Sequence, residues 1–264
     1  MLLRVSVFIL FISTIVLAAE PLKMGVFPYT NPQKIATDYS SIAEAIGKVT
    51  GREVIVLSAK DYDDYMEKAK RLRYDIYVPC VSCIVKLIED KVPLEVIAMG
   101  YPPFKGGVLV RSDSKIGDLK DIKGKVIGAV GKHTFAGYTF LKLKLKSLGI
   151  DIDKDNNVVF LGSTDNVVLS VLNGKVDVGI TRTDILNDDR YKSAMKNIRI
   201  IYESIEIPSL PFAVSTNMEV KLKDQIKNAL LNFTPPSDCK LGYKKIVSAT
   251  NNDYIEFMKR ITVK

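Results

Sequence analysis

The sequence predicts an α/β fold built from interleaved lobes. Three observations carry that expectation. Strand-like and helix-like segments alternate along the chain, the helices between strands run to roughly 10–15 residues, and no repeat, low-complexity tract or floppy linker interrupts them. Such spacing implies parallel pairing through βαβ units.

The elements follow in order. Leu22 to Phe27 reads as a strand, and Lys34 to Val49 as an amphipathic helix stopped by Gly51. Glu53 to Leu57 is the next strand. Asp61 opens a helix to about Arg73, its short side chain suited to capping free amides. Strand Asp75–Val78, helix Ser82–Asp90 and strand Leu94–Met99 complete the first run. After the turn Tyr101–Phe104 come strand Gly106–Arg111, a short helix Ile116–Gly124 and strand Lys125–Val130. Thr134 to Leu148 is a long helix, followed by strand Val158–Gly162, helix Asp165–Leu172 and strand Val176–Thr181. Strands near Ile198–Tyr202 and Pro211–Ser215, then helices Val220–Asn232 and Asp253–Ile261, close the chain.

Composition narrows the class. Of 264 residues, 47% are hydrophobic and 26% charged, which excludes disorder and collagen-like repeats. Three cysteines are too few for a disulfide scaffold. The only long apolar run is at the N-terminus, so a polytopic membrane protein is excluded. A basic start at Met1–Arg4, an apolar Val5–Leu17 and small residues at Ala18-Ala19 read as a signal peptide over residues 1–19. At about 13 residues that run is short for a span, although an uncleaved anchor is the other reading. The expected location is the periplasm. The net charge of +8 comes from lysines scattered along the chain, so no nucleic-acid partner is expected. On a helix Lys142 and Lys146 share a side and Lys144 points away, a solvated surface.

Several local patterns coincide with one family. They are Leu22-Lys-Met-Gly-Val-Phe-Pro28, Ala59-Lys-Asp-Tyr62, Tyr74-Asp-Ile-Tyr-Val78, and Val110–Ser114 followed by Leu119-Lys-Asp-Ile-Lys-Gly-Lys-Val126. Thr134-Phe-Ala-Gly-Tyr138, Gly162-Ser-Thr-Asp165 and Leu172-Asn-Gly-Lys-Val-Asp-Val178 complete the set. In this order the chain resembles the periplasmic phosphonate-, phosphite- and phosphate-binding proteins of ABC transporters. The resemblance implies a type 2 periplasmic-binding fold, two lobes joined by crossing strands and closing on a ligand. It places one lobe at residues 20–104 plus 208–264 and the other at 105–207.

The resemblance also implies a site. Thr134 opens a helix after a strand, where unpartnered amides and the helix dipole suit an oxyanion. The family carries two or three hydroxyl residues in that turn; here Thr134 keeps one, while Phe135 and Ala136 occupy the other positions. A plain N-cap is the alternative for Thr134. Tyr62 aligns with a tyrosine whose hydroxyl donates to the ligand, or is a packing residue. Phe104 and Lys105 stand where another family tyrosine meets ligand, and Lys105 brings positive charge or is a surface lysine. Thr164 replaces a family histidine. Asp184 stands where aminophosphonate binders hold the ligand's amine, but the second carboxylate would fall near Ser209-Leu210, and Leu210 cannot serve. An ammonium left half-paired is costly, so a smaller or different oxyanion is expected.

Cys80 and Cys83, in Pro79-Cys-Val-Ser-Cys83, lie on a cleft-facing loop of the family. They read as a local disulfide or redox pair, as a thiol site for a soft ligand such as arsenite, or as small packing residues. Ile84 after Cys83 excludes a c-type haem. Cys239 reads as structural. An enzyme is disfavoured: His133 is the single histidine, best read as solvent-facing or capping, and no Walker loop, HExxH pattern or dinucleotide fingerprint is present. No cofactor or metal is expected. The expected function is capture of a small oxyanion by a monomer that presents it to a membrane permease. A sensor subunit docking on a membrane histidine kinase, and a CxxC redox protein, are the alternatives.

Overall fold

The computed structural model describes residues 19–187, 191–237, 239 and 241–262. The leader read over residues 1–19 lies, except for Ala19, outside the described residues. Among those residues no helix is long and apolar enough to cross a membrane.

The first lobe contains β1 (Leu22–Val26), α1 (Pro32–Thr50), β2 (Val54–Ser58), α2 (Tyr62–Lys70), β3 (Ile76–Val78), α3 (Val81–Glu89) and β4 (Leu94–Tyr101). The second follows with β5 (Gly106–Arg111), a 3-10 turn at Leu119–Ile122, β6 (Val126–Ala129) and a π-helical turn Phe135–Thr139 that runs into α4 (Phe140–Ser147). Next come β7 (Asn157–Phe160), α5 (Thr164–Leu172), β8 (Val178–Arg182) and β9 (Ile198–Glu203). The chain then returns with β10 (Pro211–Ser215), α6 (Val220–Leu231), β11 (Lys245–Ser248) and α7 (Asn251–Thr262).

Local chemistry explains the boundaries. Asn31 caps α1 by accepting from the Lys34 amide at 2.8 Å, and Pro32 occupies the first turn, where a missing N–H is harmless. The helix ends at Gly51, whose φ of 68° is the left-handed conformation that glycine adopts without penalty. Its buried stripe, Ile35, Tyr39, Ile42, Ala43 and Ile46, follows helical spacing and faces the sheet core.

Two sheets result, in the orders β11-β4-β10-β3-β1-β2 and β7-β6-β8-β5-β9. The expectation of parallel pairing holds for β1 with β2 and β3, and for β6 with β7 and β8. It fails for β4, β5, β9 and β10, which pair only antiparallel, and β11, a strand not read from the sequence, is antiparallel as well. β5 and β10 enter their sheets straight from the crossovers between the lobes, with no crossover helix to reverse their direction. The two crossovers meet in one antiparallel bridge: the Phe104 amide donates to Ile207 O at 3.1 Å, and the Ile207 amide to Phe104 O at 2.7 Å.

The lobes pack on each other. One apolar cluster runs from Tyr65, Ile84 and Phe257 in the first lobe to Ile127, Phe135 and Phe140 in the second. Phe135 and Phe257 meet edge to face, 5.3 Å between ring centroids. Burial of this seam stabilises a closed arrangement of the lobes.

Candidate functional site

Loops at the carboxyl ends of the parallel strands face one another across the seam, the position where open α/β sheets receive ligands. After β6, Val130 to Gly137 forms a tight turn. The Thr134 amide donates to Gly131 O at 3.0 Å, and the Val130 amide to Gly137 O at 3.2 Å. The helix then starts as a π turn, with the Thr139 amide donating to Thr134 O at 3.2 Å. The amides of Phe135 to Tyr138 precede the first helical hydrogen bond and have no partner within the helix. Gly137 is required by space: a Cβ there would sit 2.5 Å from Thr134 Oγ1 and 2.6 Å from Val130 Cβ.

The expected site residues fall as follows. Thr134 precedes the helix but makes no side-chain cap; its hydroxyl donates back to Gly131 O at 2.6 Å. Phe135 and Ala136 are buried, so this segment presents backbone rather than side-chain donors. Tyr62 is the first residue of α2, behind the cap Asp61, which accepts from the Asp64 amide at 2.9 Å. Its ring meets Phe27 edge-on at 6.2 Å and lies on His133 at 3.7 Å, 13° from parallel. This stack joins α2 of one lobe to the turn after β6 of the other. Burial raises the Tyr62 phenol above its ordinary value, so it remains a donor at neutral pH.

His133 differs from its expected role. It is neither solvent-facing nor a cap but half-buried under Tyr62, because lobe packing places the ring there. Burial lowers its pKa, with Asp63 acting against that and Lys132 with it. Uncharged imidazole is the favoured form.

Cys80 and Cys83 are joined as a disulfide, Cα atoms 4.9 Å apart. Cys80 is the N-cap of α3, its sulfur accepting from the Cys83 amide at 3.0 Å, and both residues are buried. Sulfurs bonded to each other present no thiolate to a soft ligand. Cys239 is free and half-buried.

Lys105 makes an exposed ion pair with Glu203 at 3.3 Å. Thr164 begins α5 behind its cap Ser163, which accepts from the Asn166 amide at 3.2 Å. Asp184 follows β8 and is gripped by Arg182, Nε to Oδ1 at 2.9 Å and Nη2 to Oδ2 at 2.5 Å. The Arg182 guanidinium lies 4.2 Å over the Phe104 ring. Ser209 is buried, its hydroxyl donating to Pro102 O at 3.0 Å.

Sequence reasoning missed Arg182 and the contact made by His133. A signal for Arg182 was present: Val178, Ile180 and Arg182 share one face of β8, so the arginine ends an apolar file. His133 carried no such signal, because the stack depends on how the lobes meet.

Comparison with known proteins agrees with this architecture. The family model described as the periplasmic substrate-binding protein of phosphonate ABC transporters matches residues 24–254. The phosphate-import protein PhnD of Mycolicibacterium smegmatis is 23% identical over 79% of this chain and 70% of its own length. The phosphonates-binding periplasmic protein of Escherichia coli is 22% identical over 81% and 66%. Among solved structures, PhnD1 of Prochlorococcus marinus in complex with methylphosphonate superposes with a TM-score of 0.77 at 16% identity, covering 91% of this chain and 96% of that one. A binding component of a Pseudomonas aeruginosa ABC phosphonate transporter gives 0.75 at 18% identity, covering 91% and 85%. A two-lobe α/β fold and a family match across nearly the whole described chain point to a binding protein rather than an enzyme, and the chain belongs to the periplasmic substrate-binding proteins of phosphonate ABC transporters.

Proposed function

We propose that the protein captures a small phosphorus oxyanion, of the phosphate, phosphite or methylphosphonate class, and presents it in the closed form to a membrane permease. The observation that carries this reading is the turn Val130–Gly137: it opens a helix with free amides and faces Tyr62 of the other lobe through the His133 stack. A helix start binds anions through its amides and dipole, so no cationic side chain is needed at the oxyanion itself. The anion sits beside the ring stack, against the amides of Phe135 to Gly137, with the Tyr62 hydroxyl turned to it and the Thr134 hydroxyl freed from Gly131. Relatives named for phosphate import and for phosphonate binding support the ligand class.

Residues 20–104 plus 208–264 and residues 105–207 act as the two closing bodies, hinged at the Phe104–Ile207 bridge. The protein works as a monomer outside the cytoplasm, exported by the segment over residues 1–19. The net charge of +8 steers anions toward the cleft at low salt.

A thermal-shift panel tests the reading with phosphate, phosphite, methylphosphonate, 2-aminoethylphosphonate, sulfate and arsenite. A ligand at about 100 times its dissociation constant adds about 2.7 kcal/mol. At roughly 2–4 °C per kcal/mol for a chain of this size, a phosphorus oxyanion should raise the midpoint by several degrees. No shift with any phosphorus oxyanion would overturn the reading.

A further inference from the structure

The tip of β8 carries the only guanidinium gripping a carboxylate at the lobe seam among the described residues. β8 is the parallel neighbour of β6, Ala129 opposite Ile180, so its tip lies one strand away from the Val130–Gly137 turn. Parallel pairing puts Arg182 and Asp184 at the same end of the sheet as that turn.

Both Asp184 oxygens are engaged by Arg182 in a two-pronged contact, the geometry that guanidinium and carboxylate share best. The guanidinium is fixed from a third side by the Phe104 ring, and Phe104 is itself held by the crossover bridge. Arg182 also lies near the Tyr29 phenol, where its charge opposes the upward push of burial and Asp38. The carboxylate on that side, Asp38, is likewise taken: Lys34 donates to it at 2.8 and 2.9 Å, and the Tyr29 hydroxyl at 3.1 Å. Each of these two carboxylates at the seam is therefore already matched by a cation of the chain's own.

We propose that Arg182 is a specificity-determining residue: by occupying Asp184 it removes the carboxylate that an ammonium-bearing ligand would need, so the cleft accepts oxyanions with a small uncharged substituent and rejects aminoalkyl phosphonates. The two side chains remain 38% and 42% exposed, so Arg182 acts on an incoming ammonium by like-charge repulsion and by neutralising Asp184. This inference rests on the oxyanion reading above and deepens it.

Calorimetric titration of the purified protein at neutral pH, with methylphosphonate and with 2-aminoethylphosphonate, tests it. The wild-type protein should bind methylphosphonate at least about tenfold more tightly. Arg182→Met frees Asp184 and should narrow that ratio by about tenfold or invert it, and adding Asp184→Asn should cancel the gain. Equal wild-type affinities, or an unchanged ratio in a folded Arg182→Met protein, would overturn the proposal. Should Arg182→Met fail to fold, Arg182→Lys keeps the charge, loses the two-pronged grip and should still narrow the ratio; an unchanged ratio there also overturns it. Binding of both ligands with equal strength defeats this inference alone. Absence of binding by either ligand, and by phosphate and phosphite, defeats the oxyanion reading and this inference with it.

Discussion

Tyr62 and His133 lie on opposite lobes and stack with ring centroids 3.7 Å apart and planes 13° from parallel. The contact ties the first turn of α2 to the turn that opens the helix after β6. On the proposed reading, closure and ligand contact are one event: the ring that links the lobes carries the hydroxyl that would face the anion. The two roles separate by substitution.

Tyr62→Phe keeps the stack and removes the donor. A hydrogen bond to a charged group is worth about 1.5–3 kcal/mol, so methylphosphonate affinity should fall roughly tenfold to a hundredfold while the thermal midpoint without ligand stays nearly unchanged. Calorimetry and a melting curve on the same sample read both effects.

The His133 ring gives a pH signature. Its pKa is lowered first by burial, so the charged form is disfavoured in the closed state. The sign follows from linkage: the closed state is fully stable above the ordinary histidine value and loses stability as pH falls through the lowered one. Methylphosphonate affinity of the wild-type protein should weaken on acidification below about pH 6.5 more than that of His133→Phe, which keeps a ring and cannot charge. The ligand's own titration is common to both proteins and cancels. Parallel pH profiles would place the acid response elsewhere.

Gly137→Ala tests the turn itself. The added carbon would meet Thr134 Oγ1 at 2.5 Å and Val130 Cβ at 2.6 Å, both in the turn that aims the amides. Overpacking of this kind costs about 1–3 kcal/mol, and the displaced amides should lower methylphosphonate affinity by more than the stability loss alone explains. The measurement is affinity at a temperature well below the variant's midpoint, where the protein is still folded.

The Cys80–Cys83 disulfide closes a short loop, with a sequence separation of 3. Chain entropy then gives it about 2 kcal/mol, less than a long-loop disulfide. Reduction, or replacement of both cysteines by serine, should lower the midpoint by roughly 4–8 °C. Because the bond is buried in the first lobe, methylphosphonate should slow its reduction by a dithiol reagent, and loss of that protection in Tyr62→Ala would link it to lobe closure.

Much of the fold was legible because it is local. The strand Leu22–Val26 and the helix stopped by Gly51 follow from apolar period and glycine's left-handed turn, although that period opens the helix at Lys34 and misses its start at Pro32 behind the cap Asn31. Strand direction was not legible. β5 and β10 are as apolar as the parallel strands, and their reversed direction goes with entering each sheet from an interlobe crossover with no crossover helix. β11, at Lys245–Ser248, escaped notice because four residues flanked by lysine and serine carry too little period. The short helix read at Ile116–Gly124 shrinks to the 3-10 turn Leu119–Ile122, tightened by the Asp118–Asp121 capping box. The start of the long helix read from Thr134 is a π turn, since Gly137 lets the chain approach Val130 closely.

The candidate site divides the same way. The Thr134 segment was legible as a helix start after a strand, whereas Tyr62 was singled out only through the family resemblance. Pairings across the seam were not, because they depend on lobe geometry: His133 under Tyr62, and Arg182 reaching Phe104 from β8. The spacing of Cys80 and Cys83 allowed a disulfide without requiring one.

On the proposed reading an oxyanion binds at the amides after β6 and closes the lobes through Tyr62, and a crystal structure of the protein grown with methylphosphonate shows whether it does. Phosphonate oxygens should lie about 2.7–3.2 Å from the amides of Phe135 to Gly137, with the Tyr62 hydroxyl as a further donor. Phosphonate density away from that turn, or a closed complex in which Tyr62 and those amides do not touch the ligand, would contradict it.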